Sequence, residues 1–460
     1  MSTAILILAA GDGKRMKCAH PKALCQVLFK PMISWVLDAC TEAGYVQAQI
    51  CVVCGRGGEE LQSLLPPEVH TVWQEQRLGT GHAAAQAEPF LRTLPEDAQV
   101  LILFGDAPFI SAELIQASQR AHLEAGSKLT VIAAPVDDPT GYGRVIRDSA
   151  FNLLEIVEER DAAEEQKKIR EIASGAMWAD AAWLLSAFPR LQNNNAQKEY
   201  YLTDCAKLAA EDGVKALVYV APDSDAVLGA NSRADLLKLN RLAARRMLEK
   251  HMANGVEVLS EDGVLIGPEV VIGAGSTVYP GTILKGKTVI GAGCTLGPNT
   301  VIEDSTVGDG CVINASQIEN AVLEQNISMG PFAHIRPNSH IGSGVHLGNF
   351  TEVKNSSIGD RTSVSHLTYV GDSDVGEAVN FGCGCVTVNY DGMNKHRTTI
   401  GNHAFIGCNT NLVAPVKVGD FGFTAAGSTI TEDVPENALA IERGKQYNKA
   451  EWSKGKIKIK

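Results

Sequence analysis

This chain of 460 residues has no long apolar run and no basic residue ahead of its first apolar stretch, it has no disulfide framework, and its positive charge is in deficit. Each lack excludes something. The opening Met1-Ser2-Thr3-Ala4-Ile5-Leu6-Ile7-Leu8-Ala9-Ala10 carries no basic residue ahead of its apolar stretch, and that stretch falls far short of the roughly 20 residues a membrane span needs. It is expected to be a buried strand in a cytoplasmic protein with no membrane association. With 53 Asp and Glu against 41 Lys and Arg the net charge is −12, which argues against nucleic acid as a partner. A polyanionic substrate must then meet local basic clusters. The eleven cysteines are scattered rather than framed for disulfides. One Cys-x-x-Cys, Cys51 to Cys54, lies in an apolar strand pattern, where odd spacing points the two side chains to opposite faces. Neither zinc nor redox use of that pair is expected.

A period of six stands out in the second half. Aliphatic residues recur at Ile266, Ile272, Val278, Leu284, Ile290, Leu296 and Ile302, a spacing that neither a helix nor an ordinary strand produces. After short slips the register continues through Val307, Ile313, Ile318, Leu323, Met329, Ile335, Ile341, Leu347, Val353, Ile358, Val364 and Val370. This is the hexapeptide pattern of a parallel β-helix, in which each unit is a short strand with its corner and three units make a coil. Glycine-rich disorder lacks such a fixed aliphatic register.

The first half reads differently. Apolar runs at 5–8, 50–53 and 100–104 alternate with helix-like stretches at 33–43 and 112–125, the alternation of a layered α/β domain with a largely parallel sheet. Functional groups should sit where its strands end. The stretch 232–252, rich in Leu, Ala, Arg and Lys with no glycine or proline, reads as a helical connector. Residues 1–230, 231–254 and 255–460 are therefore expected to form an α/β domain, a helical linker and a β-helix. That organisation agrees with a chain longer than the roughly 250–300 residues at which single cores stop growing. The closing Lys454-Gly455-Lys456-Ile457-Lys458-Ile459-Lys460 is a basic tail, expected to be solvated.

The first strand runs into Leu8-Ala9-Ala10-Gly11-Asp12-Gly13-Lys14-Arg15-Met16, followed by Pro21-Lys22. Glycines there let backbone amides approach phosphate oxygens, and Arg15 and Lys22 neutralise their charge. The segment lacks the third glycine of a dinucleotide fingerprint and the Gly-Lys-Ser/Thr ending of a P-loop. It closely resembles the motif of the sugar-1-phosphate nucleotidyltransferases. Further matches follow in order: Gln74-Glu75-Gln76-Arg77-Leu78-Gly79-Thr80-Gly81-His82-Ala83, Phe104-Gly105-Asp106, Gly141-Tyr142-Gly143-Arg144, Ile156-Val157-Glu158, Asn193-Asn194-Asn195-Ala196-Gln197 and Gly229-Ala230-Asn231. Asp106 closes a strongly apolar strand, where a carboxylate can hold Mg²⁺ against nucleotide phosphates.

By this resemblance, the phosphate of a sugar 1-phosphate attacks the α-phosphorus of a nucleoside triphosphate and expels pyrophosphate. The resemblance places Mg²⁺ on Asp106 and Asn231, and phosphate stabilisation on Arg15 and Lys22. It gives Gln74, Gly79 and Thr80 the uracil and Gly143 and Glu158 the sugar, with Leu8, Ala9, Ala10, Gly11, Phe104, Gly105 and Ala173 completing the nucleotide-sugar site. Phosphoryl-type transfer needs positioning and charge neutralisation more than covalent help, which suits such a set.

Within the repeats a polar and basic series breaks the bland register: Arg336-Pro337, Gly348-Asn349-Phe350-Thr351-Glu352-Val353-Lys354, His366-Leu367-Thr368-Tyr369, Asn380 and Asn389-Tyr390-Asp391-Gly392. Neutral histidine, with an ordinary pKa of roughly 6.5, can take the proton of an attacking amine. The six-residue spacing resembles that of the left-handed hexapeptide transferases, whose hand runs against the usual crossover preference, and the polar series resembles the acetyltransferase half of a bifunctional family. Together the two halves resemble, end to end, the bifunctional N-acetylglucosamine-1-phosphate uridyltransferase/glucosamine-1-phosphate acetyltransferase family.

That family implies acetyl transfer from acetyl-CoA to glucosamine 1-phosphate, then uridylyl transfer from UTP to N-acetylglucosamine 1-phosphate, supplying peptidoglycan and lipopolysaccharide precursors. It implies His366 as base with Glu352 as its partner. Arg336, Lys354, Tyr369, Asn380, Asn389 and Tyr390 would line the amino-sugar phosphate site, and Cys383, Cys408, Ala426 and Arg443 would contact coenzyme A. It also implies a homotrimer with sites between prisms. Four positions depart from the family pattern: Phe104 replaces a tyrosine, Ala173 a sugar-contacting asparagine, Cys383 an alanine and Cys408 a serine. Two other readings compete. In one, a single-activity nucleotidyltransferase carries a structural or regulatory prism, which His366, Lys354 and Arg336 argue against. In the other, a non-catalytic scaffold uses the same folds, which Arg15, Lys22, Asp106 and Asn231 argue against.

Overall fold

A computed structural model describes residues 2–11, 13, 16–18, 20–55 and 57–456. Asp12, Lys14, Arg15 and the end of the basic tail thus lie outside the described residues. The chain divides into two compact units, Met1–Ala243 and Ala244–Lys460. The division falls inside the helix Arg233–Ala253, which lies in the segment 231–254 read above as a connector.

In the first unit one sheet runs from Ala216–Val220 through Leu129–Pro135, Glu171–Asp180, Gln99–Phe104, Thr3–Ala9 and Ile50–Gly55 to His70–Gln74. All neighbours on this path pair in parallel except Glu171–Asp180, which is antiparallel to both of its partners. Alternation along the strands feeds two cores. Ala4, Leu6, Leu8, Cys51 and Val53 face one side with Trp183, Leu184 and Leu208; Ile5, Ile7, Ala9, Val52 and Cys54 face the other with Ile33, Val36 and Ile115. Cys51 and Cys54 thus enter different cores, as their odd spacing requires. From Thr3–Ala9 the chain moves outward to Ile50–Gly55 on one side and later returns to Gln99–Phe104 on the other. The carboxyl ends of Thr3–Ala9 and Gln99–Phe104 therefore flank a topological switch point, the place where open α/β sheets bind ligands.

The second unit is a three-faced prism. Its parallel sheets hold 11, 10 and 9 strands among the described residues, and pairs such as Ile266↔Leu284 and Leu284↔Ile302 join positions three hexapeptides apart. Every aliphatic of the sequence register from Ile266 to Val370 is buried in one continuous column. Each such side chain contributes about 1.5–3 kcal/mol by leaving water. Corners are tied by buried hydroxyls: Ser276 Oγ accepts from Cys294 N at 3.0 Å and Thr362 Oγ1 from Val379 N at 3.1 Å, so backbone groups turning inward stay paired. One excursion, residues 389–397, leaves the column between the strands Val386–Val388 and Thr398–Ile400. No helix among the described residues is long and apolar enough to cross a membrane.

Candidate active sites

At the switch point of the first unit, Leu8, Ala9 and Ala10 end the central strand, and Leu8 O accepts from Gly105 N at 3.0 Å. A side chain on Gly105 would press on Ala9 Cβ at 3.2 Å and Ala23 Cβ at 3.3 Å, so glycine allows this close approach. Lys22 N returns to Gly11 O at 3.2 Å. The Lys22 ammonium then forms an ion pair with Asp106 and donates to Asn231 Oδ1 at 2.7 Å. Two structural devices hold the distant Asn231. Ala230 N bonds Asp106 O at 3.1 Å, and Asp235 accepts from Asn231 N at 2.9 Å and Ser232 N at 2.8 Å while Ser232 Oγ caps Asp235 N, a capping box at the start of the helix. A carboxylate and an amide oxygen thus converge on one cationic point, and both are hard donors suited to Mg²⁺.

Gln74, 3% exposed, closes its strand and donates to Gly79 O at 3.0 Å. Gly79 has φ +115°, and a Cβ there would stand 2.4 Å from Tyr200 O. Thr80 Oγ1 accepts from Leu202 N at 3.0 Å. On the other side of the switch point, Gly143 pairs with Ala173, and a Cβ on it would stand 3.5 Å from Glu158 Oε1. Burial pushes the Glu158 carboxyl above its ordinary value, and the Thr203 hydroxyl, donating at 2.8 Å, opposes that. Ala173 is 5% exposed and precedes a bulge in which Gly175, φ +82°, lies under the Phe104 ring; a Cβ there would approach Phe104 Cε2 to 2.6 Å.

Within the motif Asn193–Gln197, Asn195 Oδ1 accepts from Gln197 N at 3.2 Å and Glu199 N at 3.1 Å. Arg144, 1% exposed, is a buried clamp on Glu159 at 2.6 Å. Sequence reasoning missed Thr203 and also Arg77, which donates to Ala10 O at 3.0 Å. Arg77 was visible inside its motif, whereas Thr203 carried no signal.

In the second unit one corner brings the predicted residues into a ladder. Asn349 and His366 are register partners. Cys383, Cys408 and Ala426 follow at the same position, each two residues past the partners Phe381, Ile406 and Thr424. Arg443 reaches this ladder, donating to Ala426 O at 2.9 Å. Cys408 is exposed and Cys383 half-buried. His366 is exposed on its corner, and its Nδ1 meets Asn349 Oδ1 at 2.8 Å.

Among the described residues no hydrogen bond or ion pair joins Glu352 to His366. Glu352 lies on the next face, in register with Tyr369, and accepts from Arg336 at 2.9 Å. That contact raises the Arg336 pKa. Asn349, present in the polar segment of the sequence but given no role there, takes the place beside the histidine.

At the far end of the face that carries Glu352 lies a cationic group. Lys354 is held below its ordinary pKa first by the adjacent Lys395 and further by Arg336. Lys395 comes from the excursion 389–397, and sequence reasoning stopped short of it at Gly392. Asn389 donates to the buried Asp372 and, at 3.4 Å, to Tyr369 OH. Tyr390 is exposed and closes on Gly392 O at 2.7 Å. Asn380 stands exposed on the His366 face, in register with Ser363. Neighbouring cations beside an open corner suit a phosphate ligand.

Comparison with known proteins agrees with both halves. Residues 5–176 match the MobA-like NTP transferase domain, and residues 295–388 match the GlmU-like C-terminal hexapeptide. Proteins described as "Bifunctional protein GlmU" from Caldanaerobacter subterraneus and Thermoanaerobacter pseudethanolicus are each 48% identical over 453 residues, covering 98% of both chains. One from Alkaliphilus oremlandii is 45% identical over 460 residues, 100% of both. The prism is accordingly a left-handed hexapeptide β-helix, and this chain belongs to the bifunctional GlmU family.

Proposed function

We propose that the chain makes UDP-N-acetylglucosamine in two steps, with uridylyl transfer in residues 1–230 and acetyl transfer in residues 255–460, joined by the helical segment 231–254. The observation that carries this reading is the convergence of Lys22, Asp106 and Asn231 on one point at the switch of the sheet, in a chain whose other half presents His366 against Asn349 Oδ1.

In the first reaction, the amine of glucosamine 1-phosphate attacks the thioester carbonyl of acetyl-CoA, and the coenzyme A thiolate leaves. Asn349 Oδ1 accepts only, so His366 Nδ1 carries the ring proton and Nε2 is free to take the proton of the amine. Arg336, Lys354, Lys395, Tyr369, Asn380, Asn389 and Tyr390 hold the sugar phosphate. Glu352 fixes the Arg336 guanidinium. Cys383, Cys408, Ala426 and Arg443, continuing the ladder from His366, line the path of the coenzyme.

In the second reaction, a phosphate oxygen of N-acetylglucosamine 1-phosphate attacks the α-phosphorus of UTP, and pyrophosphate leaves. Lys22 and Arg15 neutralise phosphate charge, while Leu8, Ala9, Ala10, Gly11 and Gly105 bring backbone close to it. Gln74, Gly79 and Thr80 recognise uracil; Gly143, Glu158, Phe104 and Ala173 contact the sugar. Asp106 and Asn231 would hold Mg²⁺, which supplies charge neutralisation on the phosphates when bound. A cytoplasmic homotrimer supplying peptidoglycan and lipopolysaccharide precursors completes the reading.

The test is direct. Glucosamine 1-phosphate, acetyl-CoA, UTP and Mg²⁺ are incubated with the protein, and products are identified by mass. UDP-N-acetylglucosamine, coenzyme A and pyrophosphate are expected. If glucosamine 1-phosphate stays unacetylated while N-acetylglucosamine 1-phosphate supplied in a parallel sample is converted, only the nucleotidyltransferase remains; no product from either sugar phosphate would refute the reading.

A further inference from the structure

We propose that Cys18 and Cys25 form a thiol–disulfide site that restrains the Lys22 loop, with a low-molecular-weight disulfide as the oxidant. Their sulfurs lie 2.9 Å apart, and closing to a disulfide at about 2.05 Å needs only a small shift. Other thiols of this unit offer no such pair: Cys51 and Cys54 sit in different cores, and Cys40 and Cys205 are wholly buried. In the prism, Cys294 and Cys311 are close but 1% and 0% exposed, beyond the reach of a solute.

Access orders the chemistry. Cys18 is half-buried and Cys25 is 8% exposed, and burial pushes the Cys25 thiol up to about 12. The Cys18 thiolate attacks one sulfur of the small disulfide RSSR, forming a mixed disulfide and expelling RS⁻. Cys25 then gives its proton to that thiolate and attacks the Cys18 sulfur, displacing the second RS⁻, which takes its proton from water. The protein loses two electrons and two protons; RSSR becomes two RSH.

The two cysteines bracket residues 21–24, and Cys25 N bonds Lys22 O at 3.1 Å. The cross-link therefore fixes both ends of the segment that places Lys22 on Asp106 and Asn231. On the functional reading above, on which this consequence rests, Lys22 must turn from those groups to the substrate phosphates. The Cys18–Cys25 cross-link holds it back, so uridylyl transfer slows.

Full-length protein is equilibrated with oxidised glutathione, mapped by non-reducing peptide mass analysis, and assayed for both reactions. A Cys18–Cys25 peptide is expected, with uridylyl transfer lowered by up to about 10²-fold, the scale of a group misplaced by about 1 Å. Dithiothreitol should restore the rate, and any change in acetyl transfer, where Cys383 and Cys408 are open to the same oxidant, should persist in Cys18→Ser. Cys18→Ser, at the more exposed position, should keep the reduced rate and lose the sensitivity; Cys18→Ala checks the same point without a hydroxyl. Failure to find the linked peptide at saturating oxidant overturns the site, and a linked enzyme with full uridylyl transfer overturns the restraint. If the reduced protein lacks uridylyl transfer, the functional reading fails and the restraint with it, while the peptide map still decides the site.

Discussion

His366 Nδ1 and Asn349 Oδ1 meet at 2.8 Å across neighbouring coils of the prism. An amide oxygen has no proton to give, so this contact sets the imidazole tautomer and turns Nε2 outward as an acceptor. Asn349→Ala should remove that orientation and lower acetyl-transfer kcat by roughly five- to tenfold, the worth of one hydrogen bond of about 1 kcal/mol or slightly more. Uridylyl transfer measured on the same sample should not change. An equal fall in both rates would point to misfolding rather than to the imidazole.

Lys354 and Lys395 share one corner with Arg336, and their mutual repulsion holds Lys354 below the usual lysine range. A bound phosphate relieves that repulsion. Lys395→Ala should raise the KM for glucosamine 1-phosphate about tenfold, in line with loss of one charge-assisted contact of about 1.5 kcal/mol. The KM for acetyl-CoA should stay close to its starting value. Titration of the remaining lysine by NMR should move up toward the ordinary lysine value once Lys395 is gone.

Ala173 stands opposite Gly143, on the side of the sheet that carries Glu158. On the proposed reading, a sugar hydroxyl or acetamido group left unpaired there on burial would cost about 1–3 kcal/mol. Ala173→Asn should lower the KM for N-acetylglucosamine 1-phosphate and sharpen discrimination between amino-sugar epimers, since rejection of a wrong sugar depends on polar groups left unpaired. Handling of UTP should not change. Steady-state kinetics with both epimers checks this, and an unchanged ratio would mean that neighbours already supply the contact.

His122 lies buried between Thr130 Oγ1 and Gln99 Oε1, each at 2.8 Å. Burial, with help from Lys128 and against the pull of Asp180, pushes its pKa down to about 4. The unfolded chain takes a proton near 6.5, whereas the folded one resists until about 4. Stability should therefore be lost as pH falls through that window, by about 3 kcal/mol in all. Denaturant unfolding followed by tryptophan fluorescence at about pH 7 and about pH 4.5 reads this loss, and His122→Gln should shrink the difference.

The sequence reading captured what has a period or a motif. The six-residue register named the buried column of the prism residue by residue, because each inward aliphatic stacks on its equivalent three units away. Odd spacing placed Cys51 and Cys54 on opposite faces for an equally local reason. The gathering of Lys22, Asp106 and Asn231 was legible only through resemblance, since their meeting depends on sheet order and a helix cap far along the chain. Two contacts were not legible. Glu352 was expected beside His366, but the corner at Leu367 and Thr368 puts Glu352 in register with Tyr369 instead and leaves Asn349 to the imidazole. Lys395 was missed because it belongs to an excursion that breaks the register, where spacing carries no positional information.

The central claim is that one chain carries two independent reactions, each in its own set of residues. It is tested most directly by assaying Asp106→Asn and His366→Ala for both activities, with folding of each variant checked by circular dichroism. Asp106→Asn should abolish uridylyl transfer and leave acetyl transfer intact. His366→Ala should lower acetyl transfer by about 10²–10⁴-fold, the usual contribution of a general base, and leave uridylyl transfer intact. A folded variant of either kind that loses both activities would contradict the account.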